Sequence, residues 1–527
     1  MKKSFLFLCA LSVSLLHAQL MRPSSFSLTT ADTVYTGLVG SSISDFTGRG
    51  DTIWLGSGHG LSASFDNGNN FVAFSREYSD IGKGGISAMT ASGDTIWVAT
   101  GYDSTTAFGD LKTGGGISRS TDGGASWTLL GQPMDSLRMT VQGNDTSYEK
   151  YSEITRWGVP MLVIDVVTPI QNITYDLAYD GKRLWATSFG GGLRVSDDLG
   201  ETWRRVMLPW DDADVFDSLF VNEIKADILA DPEHYAQNGL VHLNHIAFSV
   251  MAWNDTVWVG TSGGINHSVD GGNSWEHFTY QNSNISGNWV IAMDRQLTED
   301  GQEKIWASTV TTGGGDKTGF SVFESATGYW RAPFLGFKAW NFSSDANTVY
   351  AATDYGLWKS KDGIHFSVLP PYENLDGSER IYSDEVYAVL VNDDGAVWVG
   401  TGDGLAISRD NGLSWEIRKA RLQEESDSFF AYPNPFTPRY DKVLGGEGNC
   451  IIRFDARLNE EVTISIFDFS MHEVRNIVDA EPARFEGAQE WTWNGRNEEG
   501  YLVANGTYFI RYEIAGDIHW TKVMVLN

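Results

Sequence analysis

With 527 residues, 42% of them hydrophobic, the chain can bury a sizeable core, which excludes global disorder. Its formal net charge of −30 repels phosphate backbones and speaks against a nucleic-acid ligand. Its 2 cysteines are too few for a disulfide-stapled domain or for zinc and iron–sulfur sites built on thiolates.

The chain opens with MKKSFLFLCALSVSLLHAQL. Lys2 and Lys3 precede a short apolar run, and Ala18 stands before a cut at Gln19, so residues 1–18 read as a secretory signal peptide. Cys9 leaves with that segment, and Cys450 is then alone, with no internal disulfide partner. No later apolar run approaches the ~20 residues of a membrane-spanning helix.

Two phrases then alternate over residues 33–421. The first carries an aromatic residue in a β-branched strand: Trp54, Trp97, Trp185, Trp258, Trp306, Tyr350 and Trp398. The second reads SFDNGNNF (64–71), STDGGASW (120–127), SDDLGETW (196–203), SVDGGNSW (268–275), SKDGIHF (360–366) and SRDNGLSW (408–415). A seventh copy, SATGYW (325–330), has lost its aspartate. From the aromatic to the third position of the turn phrase the gaps are 12, 25, 13, 12, 21, 12 and 12 residues. Four short strands per repeat of about 40–50 residues are the mark of a β-propeller blade, so the fold class is all-β, with seven blades expected.

Seven copies of one catalytic residue make no chemical sense. Asp66, Asp122, Asp198, Asp270, Asp362 and Asp410 are therefore read as structural clamps that hold a turn by accepting backbone N–H groups. The glycine supplies a left-handed conformation, and the final Trp or Phe fills the wedge between sheets. This phrase resembles the Asp-box, or bacterial neuraminidase repeat, of sialidases, tandem-propeller xyloglucanases, sortilin-type receptors and photosystem assembly factors. VWVGTSGG (257–264) is also similar to periplasmic sensor propellers. The resemblance implies the fold and leaves the activity open, because these families share blades and not chemistry.

In a four-strand meander the two–three turns and the links between blades lie on one face of the disc. That face receives nearly all the extra sequence: 101–115, 131–171, 207–244, 309–319 and 370–383. Long loops on a rigid scaffold are where binding usually resides. Their aromatic and acidic residues give the candidate site: Tyr102, Tyr151, Trp157, Trp210, Asp211, Asp212 and Tyr235, with Tyr148, Glu153, Arg156, Asp214 and Tyr372 nearby in sequence. Residues 215–235 have apolar positions at helical spacing and are expected to form one helix lying over the disc. Trp157 and Trp210 are expected to anchor ligand over the central channel, with Arg183, in a short turn of the other face, as an inert control.

No cofactor is expected. Calcium held by Asp211, Asp212, Asp214 and Asp217 is the one metal option, without the glycine turn and closing Glu of an EF-hand. A sialidase resemblance would imply an arginine triad and a Phe-Arg-Ile-Pro segment, and the latter is absent. A xyloglucanase would need two facing propellers with paired carboxylates. The leading expectation is a binding protein for an extracellular glycan or protein, with an Asp-box hydrolase and a sensor propeller as alternatives.

Residues 422–429 read as a charged linker, and 430–527 as a small Ig-like β-sandwich built from strand-like runs beginning with CIIRFDARL. WTWNGRNEEGYLVANGTYFIRYEI resembles the Ig-like domain of flagellar hook-capping proteins. YPNPF (432–436) and the terminal TKVMVLN are similar to the sorting domains of type IX secretion cargo. That resemblance implies the secretion machinery as a partner and the outer cell surface of a Gram-negative bacterium, or the medium, as the destination.

Overall fold

Each aromatic phrase becomes the second strand of a sheet, where β-branched residues and an indole suit a surface buried on both sides. Trp54, Trp97, Trp185, Trp258, Trp306, Tyr350 and Trp398 are all at most 1% exposed. The computed structural model describes residues 35–74, 80–107, 109–142, 145–237, 242–370, 372–374, 380–422, 429–432, 434–438, 450–484 and 486–526. The signal-peptide segment, Cys9 and most of the linker lie outside the described residues.

The protein is a β-propeller followed by a β-sandwich. Among the described residues seven antiparallel meanders follow one another, each drawn from one continuous stretch. Their first strands are Ile43–Arg49, Gly85–Ser92, Thr174–Tyr179, Ala247–Trp253, Trp289–Leu297, Asn341–Ser344 and Val386–Val391. Each lies beside the next, and the last returns to the first, closing a ring. Most first strands carry a bulge near their start, as between Asp45 and Ile43 or Ser249 and Ala247. A polar side chain there can reach the next blade, as Asp176 accepts the N–H of Val250 (2.9 Å); in the sixth blade, whose first strand has no bulge, Asn341 likewise accepts that of Val389 (2.7 Å).

The turn phrase has one geometry wherever its aspartate is present. Its serine hydroxyl donates to that aspartate at 3.0, 2.8, 2.7, 2.9, 3.1 and 2.8 Å for Asp66, Asp122, Asp198, Asp270, Asp362 and Asp410. The same hydroxyl accepts the glycine N–H, as at Gly124 and Gly272. At Asp122, Asp198, Asp270 and Asp410 the aspartate then accepts the N–H and hydroxyl of a residue four places on, as Ser274 for Asp270 (2.8 and 2.6 Å) and Thr202 for Asp198 (2.8 and 2.6 Å); Asn70 supplies an amide to Asp66 in place of the hydroxyl, and Asp362, in the shortened copy, accepts from His365 three places on. These bonds favour the carboxylate. Led by Thr202 and by Ser414, they lower the pKa of Asp198 and of Asp410 to about 2.

The glycine has a second duty. Gly124 and Gly272 have φ of +90° and +81°, and an added Cβ would lie 2.6 Å from Trp54 and 3.0 Å from Trp185, on the preceding blades. Gly68 and Gly363 meet Trp398 and Trp306 in the same way. At the second joint the carbonyl of Leu199 accepts the Trp97 Nε1–H (2.9 Å). Gly200 and Gly412 meet leucines instead, Leu130 and Leu369, and the fifth blade departs furthest. Its Gly328 has nothing within 4 Å, and Trp258 of the fourth blade packs instead on Phe278, Phe323, Trp330 and the ring of His267.

The sequence expectation of one helix over 215–235 is corrected. Val215–Phe216 is a strand that adds a fifth member to the fourth blade. Two short helices, Ser218–Glu223 and Lys225–Ala230, follow. Asp217 caps the first by accepting the Phe220 N–H, and the helix stops at Ile224. The apolar spacing is real, but Phe216, Val221 and Ile228 serve a strand and two helices sharing one core.

The sandwich packs a three-stranded sheet (Phe430–Tyr432, Cys450–Ala456, Gly487–Trp493) on a four-stranded one (Glu473–Pro482, Glu461–Phe467, Gly506–Ile514, Asp517–Val525). Its core includes Phe436, Ile452, Phe454, Ile464, Trp493, Tyr512 and Cys450.

Candidate functional site

The described residues of the links between blades two, three and four share one core. They fold against one another along the outer edge of blades three and four. Tyr151–Arg156 and Val159–Ile164 form a hairpin whose tip is Trp157-Gly158, with φ of +48° and +76°. Two consecutive left-handed residues are the mark of a type I′ turn. The hairpin buries Val159, Met161 and Val163 against Met207, Leu208, Trp210, Phe216, Val221 and Ile228. Its tip reaches the turn of blade four, where Arg156 donates to the carbonyl of Asn273. An ionic knot fixes its base: Arg194 binds Asp135 bidentately at 2.9 and 2.8 Å, and Arg205 joins at 2.8 Å. Burial alone would raise the pKa of Asp135, yet the two guanidiniums hold it at about 2.

Most of the expected aromatic anchors are thereby explained as packing. Trp210 is 2% exposed, donates to the carbonyl of Tyr235 (3.1 Å) and meets that tyrosine's ring edge-on at 5.6 Å. Trp157 lies between Phe216 (5.3 Å) and the Arg156 guanidinium (4.6 Å). The expectation that Trp210 anchors ligand is corrected, since it is enclosed in the core of the insertion; Trp157 is partly buried against that core. Tyr372, 1% exposed, packs on Trp415. Tyr102 sits on a long hairpin, Thr95–Thr106 with Gly109–Ser120, beneath Lys83 (4.1 Å), and Tyr151 lies beneath Lys150 (4.9 Å). The seven candidates are not brought together.

Asp211 and Asp212 are. With Asp214 they line a groove of about 420 Å³ between blades four and five, together with Leu243, Ser262, Gly263, Thr279, Gln281, Asn282, Asn288 and Thr312. Its floor is rigid. Asp211 accepts the N–H groups of Leu243 (2.9 Å) and Asn244 (2.7 Å). Asn244, fully buried, bonds Pro209, Thr261 and Asn266. His277 pins the acidic loop from below. Its N–H donates to Asp214 O, and its ring nitrogens lie 2.9 Å from Ala213 O and 3.2 Å from Gly263 O. Burial lowers its pKa, and the two carbonyls oppose that shift. Asp214 accepts the Asn282 amide at 2.6 Å. The Asn- and Gln-rich link 281–288 was not singled out in the sequence, since it is short; its run of amides was the only signal.

Of the four aspartates weighed for calcium, Asp211, Asp214 and Asp217 have separate structural partners, Asp217 capping a helix. Among the described residues no group of three or more His, Cys, Asp or Glu side chains converges as a metal site. Nor is any helix among them long and apolar enough to cross a membrane.

No protein-family model matches the chain, and no curated protein does. It is similar to solved structures. A GH74 enzyme of Niastella koreensis is 12% identical, over 94% of this chain and 74% of that one, with a TM-score of 0.43. PorZ of Porphyromonas gingivalis, an essential bacterial surface component of the type-IX secretion system, is 15% identical over 91% of this chain, with a TM-score of 0.34, and the match spans 64% of PorZ. YCF48 from Cyanidioschyzon merolae is 14% identical, over 70% of this chain and 91% of that one, with a TM-score of 0.37.

Proposed function

We propose that this is an exported binding protein of the Asp-box type, which holds an extracellular glycan or protein ligand in the groove between blades four and five. The observation that carries the reading is the groove itself. It opens on the face that receives the insertions, and amides, hydroxyls and carboxylates line it over a fixed floor. Such a lining recognises hydroxyl, amide or cationic groups on a ligand. Asp211 has both oxygens committed to backbone N–H groups and Asp214 gives one to Asn282, an arrangement that supports binding by the polar lining of the groove. The basic, then apolar, N-terminus supports export, and the YPNPF phrase of the sandwich supports a sorting role that ends at the cell surface or in the medium.

The full-length protein should be applied to a glycan array and used to capture polysaccharide and protein from culture medium. Asp212→Asn and Asn282→Ala should each weaken capture by about 1 kcal/mol or more, and Tyr102→Ala should leave it unchanged. Equal capture by all three variants would remove the groove from consideration.

A further inference from the structure

The two ends of the ring meet without sharing a sheet. Among the described residues, blades one and seven each take all four strands from their own stretch of chain. Beyond packing and turn contacts, the termini join through a two-residue ladder, Tyr35–Thr36 with Arg421–Leu422, and the Ala420 N–H, which donates to Ser41 Oγ (3.0 Å). Lys419 stands directly beside that ladder. Its ammonium lies 3.0 Å from Asp403 of the seventh blade and 3.4 Å from Glu490 of the sandwich, and its side chain is only 5% exposed. Glu490 is also held within the sandwich, by Tyr432 (2.9 Å) and Arg453 (3.3 Å). The same sheet buries Ile451 to 4% exposure, although that residue is not part of the sandwich core.

We propose that the C-terminal sandwich is an intramolecular clasp: through Glu490 it grips Lys419 and holds shut the seam where the propeller's first and last blades meet. The terminal ladder adds only two paired residues to the side-chain contacts between these blades, such as Asn392 with Gly50 and Arg409 with Asn67, so a further contact at that point adds to closure against the entropy of opening the ring. A buried ammonium is tolerated only when paired, so Lys419 and Glu490 stabilise one another's burial and couple the two modules. The clasp does not depend on what the groove binds.

Amide exchange of the full chain tests this directly. In Glu490→Gln, peptides covering residues 35–39 and 420–422 should exchange about tenfold faster or more, because local opening sets their rate. Lys419→Met should do the same, and the double variant should be no worse than either single one. Glu498→Gln, an exposed tail carboxylate whose nearest cation is Arg475, should change nothing at the seam. Seam peptides at the wild-type rate in Glu490→Gln would overturn the proposal, whether the strand Cys450–Ala456 stays protected or not. So would loosening in Lys419→Met alone, which would place the effect in the pair with Asp403.

Discussion

Each turn aspartate is a small acid-sensitive clamp. Its folded pKa is depressed, so it contributes stability above the unfolded value of about 4, and this contribution is lost as pH falls toward about 2, the value for Asp198 and Asp410. Urea unfolding across that window should show stability dropping steeply, and Asp270→Ala should flatten part of the drop. At neutral pH that substitution should cost about 1 kcal/mol by leaving turn N–H groups without their acceptor, and ligand capture should persist. Gly124→Ala should be worse, by about 2 kcal/mol or more, because strain at φ +90° adds to a contact at 2.6 Å with Trp54; thermal melts would rank the two. The clamp was legible in the sequence as a repeated Ser, Asp and Gly. The seating of the glycine on a neighbouring blade's indole was not, since it joins residues some seventy or more positions apart in several cases, such as Gly124 with Trp54.

At the scale of elements, strands announced themselves and insertions did not. The aromatic phrase and the turn phrase bracket the same strands in every blade, so local pattern and tertiary packing agree. In the insertions, one apolar periodicity served a strand and two helices, and an aromatic loop residue such as Trp210 was core. Large aromatic side chains bury as readily as they bind, and sequence alone does not separate the two. Trp210→Ala should therefore cost about 3–5 kcal/mol within the insertion core, read by loss of exchange protection in Val159–Ile164, rather than act as a binding-only lesion. Asp211 and Asp212 were found because acids stood beside that tryptophan. Asn282 and Asn288 were missed because their link is no longer than an ordinary one.

Across the whole molecule, joints between blades carry charge as well as apolar surface. Arg183, expected to be an inert control, is 7% exposed. It binds Asp180 at 2.8 Å, Asp255 at 3.0 Å and the carbonyls of Asn254 and Gly271, tying blade three to blade four. Arg183→Met would leave the fully buried Asp180 without its cation and should cost about 2–4 kcal/mol, measured by chemical denaturation. The sequence placed Arg183 in the right turn, but only the closed ring supplies Asp255 and Gly271 as partners.

Because each blade is one uninterrupted segment, the repeat is also a unit of inheritance. A tandem duplication copies the turn glycine and the second-strand aromatic together, so a newborn blade arrives able to seat on its predecessor and to receive its successor. The fifth blade shows what divergence can then do. Its turn has shed both the aspartate and the glycine contact, and Phe323 and Trp330 now cover the orphaned Trp258. The groove lies at that same joint, so the blade whose turn has departed furthest from the repeat also borders the polar cleft between blades four and five.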